Sequence, residues 1–288
     1  MRKLTLALLL AAAPLLHAQQ EPQKPDPLWE AWVRGNGQVY ENFFQDPGSG
    51  GDTVTAMQAE VGASRLLTKG IRAYGEVNYL HFFDDTLEGS PGMRIGARGD
   101  LRPHGFDVYA EVLNNRPSFE LDEFSGADIR RLAGDYSYRF LKDWQVSVDG
   151  DFEQQEYENS IRDNDFHQAG AAIRWRGSRV FSPQIGFRTG ERDVNDPLQS
   201  YDQHETYLQI RSQTTERLYL SARFRDRKRD YQNIARDDKR RQINLSADYT
   251  ISDAWVANFY ASREHVDTSQ PGRDFTSGLW MAGLTFRF

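Results

Sequence analysis

Apolar and polar residues trade places one by one, segment after segment, and the links between segments are alternately short and long. Residues 240–251 set Ile243, Leu245, Ala247, Tyr249 and Ile251 against Gln242, Asn244, Ser246, Asp248 and Thr250. Residues 144–157 set Trp144, Val146, Val148, Gly150 and Phe152 against Gln145, Ser147, Asp149, Asp151 and Glu153. A period of two is the period of extended backbone with two unlike faces. Such segments recur at 30–42, 53–67, 71–83, 92–101, 106–116, 127–140, 144–157, 166–176, 183–192, 204–214, 218–229, 240–251, 255–265 and 275–288. Tight links such as Thr68-Lys69-Gly70, Arg102-Pro103-His104-Gly105 and Leu141-Lys142-Asp143 take turns with longer ones near 43–52, 84–91, 117–126, 158–165, 193–203, 230–239 and 266–274. A soluble sandwich mixes its loop lengths. Tight turns on one rim and loops on the other are the mark of a closed transmembrane sheet.

The aromatic residues point the same way. At the tight-turn ends the apolar face carries Phe106, Phe140, Trp144, Trp175, Trp255 and Phe288. Rings gathered at one depth suit the headgroup zone of a membrane. The expected fold is therefore all-β: a transmembrane antiparallel up-and-down β-barrel of about fourteen strands, within a range of twelve to sixteen. It is placed in the outer membrane with the tight turns on the periplasmic side.

The front end agrees with export. Met1-Arg2-Lys3, the apolar run from Leu4 to Leu16 and the small residue Ala18 read as a signal peptide over 1–18. Residues 19–29, with Pro22, Pro25 and Pro27, then form a short periplasmic segment ahead of a barrel over 30–288. The chain has no cysteine, which excludes disulfides and thiolate metal sites. A net charge of −7 argues against nucleic acid as a partner. Hydrophobic residues make up only 39% of the chain, which suits a barrel because only alternate residues meet lipid.

The ending Leu284-Thr285-Phe286-Arg287-Phe288 resembles the C-terminal signal strand of bacterial outer-membrane barrels, with Leu284, Phe286 and Phe288 on one face. In size, strand number and loop order the chain resembles the monomeric fourteen-stranded porins of Gram-negative bacteria. That resemblance is one of architecture, and no site residue is carried over from it. It implies a monomer among outer-membrane lipids and lipopolysaccharide, delivered by the barrel-assembly machinery. A softer likeness is to the barrel portions of polysaccharide- and surface-protein-export proteins, whose usual helical repeats residues 19–29 have no room for.

The same parity sends many charges inward. Arg174, Arg176, Arg188, Arg192, Arg211, Arg223, Arg225, Arg227 and Arg229 fall on the eighth to eleventh segments. Asp107, Glu111, Asp135, Asp149, Asp151 and Glu153 fall on the fifth to seventh. A basic wall facing an acidic wall sets up a transverse field that selects solutes. The expected function is a diffusion pore for small solutes, biased toward anionic or zwitterionic ones. Its pore-lining residues are Arg174, Arg188, Arg211, Arg223, Arg225, Glu111, Asp135, Asp149 and Asp151. The alternatives are a plugged structural barrel, an export conduit for polysaccharide or surface protein, and a surface-facing hydrolase. For the last, the nearest constellation is Ser262, His265 and Asp267. His81, His167 and His204 share the outer rim with His265, while His104 falls in a periplasmic turn. The acid pairs Asp84-Asp85, Asp122-Glu123 and Asp163 with Asp165 read as solvated loop tips or weak divalent-cation ligands. No nucleophile motif, P-loop or metal spacing is present, so no catalytic residue, metal or cofactor is expected.

Overall fold

A computed structural model of the chain describes residues 27–41, 53–84, 87–118, 125–270 and 272–288. The expected leader over 1–18, most of the 19–29 segment, and Asp85, Asp122 and Glu123 lie outside these. The described strands are β1 (Trp29–Glu41), β2 (Thr53–Thr68), β3 (Ile71–Phe82), β4 (Ser90–Leu101), β5 (His104–Ser118), β6 (Ser125–Leu141) and β7 (Trp144–Tyr157). After them come β8 (Asn164–Trp175), β9 (Ser182–Val194), β10 (Tyr201–Gln213), β11 (Leu218–Tyr231), β12 (Asp237–Thr250), β13 (Trp255–Thr268) and β14 (Phe275–Arg287). Each strand pairs antiparallel with its neighbours in sequence, and β1 pairs with β14, so the fourteen strands close into one barrel.

Closure removes the exposed sheet edges that an open sheet would present. It runs from Glu41 opposite Gly278 to Trp32 opposite Arg287, and the amide of Phe288 donates to the Ala31 carbonyl at 3.0 Å. The tight turns are built to measure. Gly70, between β2 and β3, sits at φ +82°, where a Cβ would meet the Asp100 carbonyl at 2.8 Å. Only glycine takes that turn without strain.

At the outer rim several strands outrun the alternation. β10 starts at Tyr201 instead of 204, β12 at Asp237 instead of 240, and β13 runs on to Thr268. The outward positions there are Asp202, His204, Asp237, Lys239, Arg241 and Asp267, so both faces are polar and the period of two disappears from the sequence. The backbone ladder persists without it. Strands of 12 to 17 residues exceed the span of about 9–11 that a bilayer needs, so their ends stand clear of the hydrocarbon.

The hydrophobic surface is turned outside in. Val61, Val77, Ile95, Val108, Leu132, Val148, Ile185, Leu208, Phe224, Ile243, Leu245 and Leu284 are all exposed on the outer wall. A water-soluble fold could not leave such a belt bare; lipid covers it. Phe140, Trp144, Trp255 and Phe288 are exposed on this wall at the tight-turn rim, with Phe106 and Trp175 half-exposed beside them. Trp144 is the cross-strand partner of Trp175, and the rings of Trp255 and Phe286 meet tilted at 46° with centroids 4.8 Å apart. Trp29, Tyr136 and Tyr138 join the outward rings and were not singled out from the sequence.

Candidate functional site in the lumen

The inner wall carries the charges, because every strand that sends an aliphatic side chain to lipid sends the next residue inward. Three zones follow along the barrel axis.

In the middle, β1 to β7 interlock by ion pairs. Arg34 meets Glu60 at 3.3 Å, and Arg94 meets Glu76 at 2.9 Å and Glu111 at 2.6 Å. Arg131 bonds Asp151 through two nitrogens. The Tyr109 ring lies beneath the guanidiniums of Arg94 and Arg131. Arg34, Glu60, Glu76, Arg94, Glu111 and Arg131 line a cavity of about 640 Å³ that continues along Thr285, Asn258, Tyr260 and Asp248 of the neighbouring β14, β13 and β12. On the opposite side Glu205 of β10 is only 2% exposed and gathers three arginines. Arg223 lies at 3.4 Å, Arg227 at 3.5 Å and Arg188 at 3.7 Å. Arg188 also reaches Asp149 at 2.9 Å, and the Arg223 guanidinium lies 3.8 Å over the Tyr207 ring. Arg225 sits between Arg223 and Arg227 on the inner face, with its Nε buried and without a hydrogen-bond partner.

The outer third is packed. Arg229 and Tyr201 are each 1% exposed and stack with the guanidinium 4.4 Å from the ring. Arg192 donates to the Tyr201 hydroxyl at 3.0 Å and pairs with Glu153 at 3.6 Å. Arg236 and the fully buried Asp238 bond at 2.9 Å. Elsewhere on the same rim the inner face is apolar: Val54, Ala56, Leu80 and Phe82 form one cluster, and Ala127, Ile129, Tyr157 and Val194 another.

The third next to the tight turns, expected to be the periplasmic one, is roomy and its charges are less matched. A space of about 1350 Å³ is lined by Arg72, Arg98, Asp107, Asp135, Ser137 and Arg139. Asp107, Asp135 and Asp149 stand opposite one another across β5, β6 and β7. Asp107 accepts from the Tyr74 hydroxyl at 2.8 Å and Asp149 holds Arg188, while Asp135 is exposed to the lumen. Facing them from β8 and β10 are Arg174 and Arg211, with Arg176 just beyond the end of β8.

By strand parity Arg174, Arg188, Arg211, Arg223, Arg225, Glu111, Asp135, Asp149 and Asp151 lie on the inner face, and their ion pairs replace the picture of two walls of single sign. Arg188, Arg223 and Arg227 share Glu205 within the basic wall, and the acidic wall contains Arg94 and Arg131. Unlike charges intermix because a buried guanidinium is costly without a carboxylate beside it. Glu205, Glu60, Glu76, Arg94 and Arg131 were missed, although the parity that turned Arg211 inward also turns Glu205 inward. The hydrolase constellation does not converge either. Ser262 faces the lumen and bonds Gln242 at 2.9 Å, whereas His265 and Asp267 bond each other at 2.8 Å on the outer face. His81, His167 and His204 also face outward, and His104 is the first residue of β5 instead of a turn residue. Asp163 accepts the Tyr157 amide at 2.7 Å, and Asp165 sits on the opposite face from the lumen.

With this geometry in view, the likeness to known proteins is one of fold. The family described as "Putative beta-barrel porin 2" matches residues 208–288, from within β10 to the end of β14. A bacterial polysaccharide outer membrane secretin has 14% identity and a TM-score of 0.52, over 90% of this chain and 98% of that one. OmpT of Vibrio cholerae has 11% identity and a TM-score of 0.51, over 90% of this chain and 97% of that one. OmpF of Salmonella typhi, solved in complex with daunomycin, has 8% identity and a TM-score of 0.51, with the same 90% and 97% coverage. No curated protein sequence matches the chain. The protein is an outer-membrane β-barrel of porin-like architecture.

Proposed function

We propose that this barrel is a monomeric diffusion pore for small solutes, with a bias toward anionic or zwitterionic ones. One observation carries the reading: a roomy periplasmic third is lined by charges of both signs, Asp107 and Asp135 beside Arg72, Arg98 and Arg139, with Arg174 and Arg211 on the inner face of the nearby β8 and β10. In a low-dielectric frame such a field is poorly screened and sorts solutes by charge and dipole. The middle charges Arg188, Arg223, Glu111, Asp149 and Asp151 are tied to partners, so they shape the passage more than they attract. The export leader over 1–18, the periplasmic placement of 19–29 and recognition of Leu284, Phe286 and Phe288 by the barrel-assembly machinery belong to the same reading. So do a periplasmic ring girdle of Phe106, Phe140, Trp144, Trp175, Trp255 and Phe288 against lipid, and lipopolysaccharide around the outer rim.

A second reading draws on the packed outer third: a barrel closed there permanently, serving as a structural element. The likeness to a secretin supports the barrel fold and adds nothing on polysaccharide passage. Catalysis is not part of either reading, since Ser262 and His265 lie on opposite faces of β13. Recording from single molecules in a planar bilayer separates pore from plug. Discrete conductance steps are the expected result, and a silent membrane at high protein load overturns the pore.

A further inference from the structure

Many inward arginines pair with a carboxylate; Arg225 does not, and neither does the cluster of Arg174, Arg176 and Arg211. Among the described residues none of the three makes an ion pair. Each is instead held by a neutral acceptor. Arg174 Nε donates to Ser182 Oγ at 2.8 Å, Arg176 Nη1 to Gln145 Oε1 at 2.9 Å, and Arg211 Nη2 to Gln209 Oε1 at 3.3 Å. Ser182 is itself fixed, since its hydroxyl donates to the Trp175 carbonyl at 2.7 Å. In the strand register Ser182 stands directly opposite Arg211, so the two guanidiniums flank one serine on adjacent strands.

Arg174 lies within the field of both Arg211 and Arg176, and their like charges repel. The bond to Ser182 takes the Nε of Arg174 and leaves its Nη edge for another acceptor. Guanidinium forks oriented by neutral groups are suited to oxyanions, which accept two parallel N–H bonds from each fork. One negative charge would leave the cluster positive, whereas two offset the flanking pair. The site lies at the periplasmic mouth, in the part of the lumen where charged side chains remain exposed.

We propose that Arg174 and Arg211, flanking Ser182 and supported by Arg176, form a binding site for a dianionic oxyanion, a phosphate or a dicarboxylate, at the periplasmic mouth of the lumen. This deepens the pore reading by naming a solute class, and rests on it only for the passage of the solute onward. The site gives solutes moving through the barrel a resting point on the periplasmic side, favouring a dianion over chloride.

Isothermal calorimetry on the detergent-solubilised full barrel tests it, with inorganic phosphate at pH 8 and with succinate as separate probes in a chloride background. Saturable binding of either probe is expected, and which one binds more tightly identifies the solute type. Arg174→Gln and Arg211→Gln should each weaken binding about tenfold or more, as loss of a charge-assisted bond predicts. Arg34→Gln, which removes a lumen arginine already paired with Glu60, should leave affinity unchanged. No saturable heat with either probe overturns the proposal, and so does an equal loss in Arg34→Gln, which would mean a diffuse field instead of a site. If the Gln variants fail to fold, Arg174→Lys and Arg211→Lys keep the charge and lose the fork; unchanged affinity in both then overturns the proposal. Binding without conductance would sink the pore reading alone, and conductance without binding would sink this site alone.

Discussion

Glu205 and Arg211 stand on the same face of the same strand and have opposite circumstances. Glu205 is buried among Arg188, Arg223 and Arg227, so removing its charge takes the ion pair from Arg223 and Arg227 and leaves Arg188 with Asp149 alone. Glu205→Gln should destabilise the folded barrel by about 3 kcal/mol, the scale for breaking one side of a buried ion pair. The check is the urea midpoint of unfolding in detergent or lipid. Arg211→Gln breaks no ion pair, and its unfolding midpoint should stay near that of the parent. A comparable loss in both would mean that the periplasmic arginines are structural too. This contrast was only half legible beforehand. Parity told which side chains turn inward, and it turned Glu205 inward as surely as Arg211. It could not tell which inward charges meet, because that depends on the offsets that lay Arg188 of β9 and Arg223 of β11 both against β10.

At the scale of the strand, close fits replace the missing core. Gly62 of β2 lies under Trp32 of β1, where an added Cβ would come within 2.2 Å of the indole. The indole nitrogen donates to Glu60 at 2.9 Å, and Glu60 in turn holds Arg34. Gly62→Ala must push the ring aside, at a cost of about 1–3 kcal/mol for overpacking. Thermal unfolding followed by tryptophan fluorescence should show the loss, and an unchanged transition would mean that the ring moves freely. The last strand carries a second prediction. Because the Phe288 amide and carbonyl both bond Ala31, deleting Phe288 shortens the closing ladder and takes away an outward ring. The truncated chain should reach the periplasm and accumulate poorly in the outer membrane, as fractionation and immunoblotting would show. Strand positions were legible wherever one face was apolar. They faded at the outer rim, where Asp237 to Arg240 are charged on both faces while the ladder continues.

For the whole molecule the decisive feature is an axial asymmetry that no periodicity reveals. Charged and amide side chains of the inner face are buried near the loop rim, such as Gln203, Arg229 and Asp238, while Asp135 near the tight-turn rim is exposed. The number of strands permits a passage without dictating how side chains fill it, since fourteen falls between barrels that are packed solid and those that are open. The absence of cysteine from the chain makes the asymmetry measurable, because a single introduced thiol reports on its site alone. In the purified barrel, Asp135→Cys should react quickly with a charged, water-soluble maleimide, and Gln203→Cys should react slowly. Equal rates would mean that the outer third opens freely. If the outer third is a gate, the Gln203→Cys thiol should become reactive under conditions that raise channel activity in a planar bilayer, while Asp135→Cys stays reactive throughout. In the conducting state Arg174→Gln combined with Arg211→Gln should shift the reversal potential toward cation selectivity, because two positive charges without carboxylate partners are then gone while Asp107 and Asp135 remain. A channel whose selectivity ignores that change would place the selecting charges among the paired residues around Glu205, and not at the periplasmic mouth.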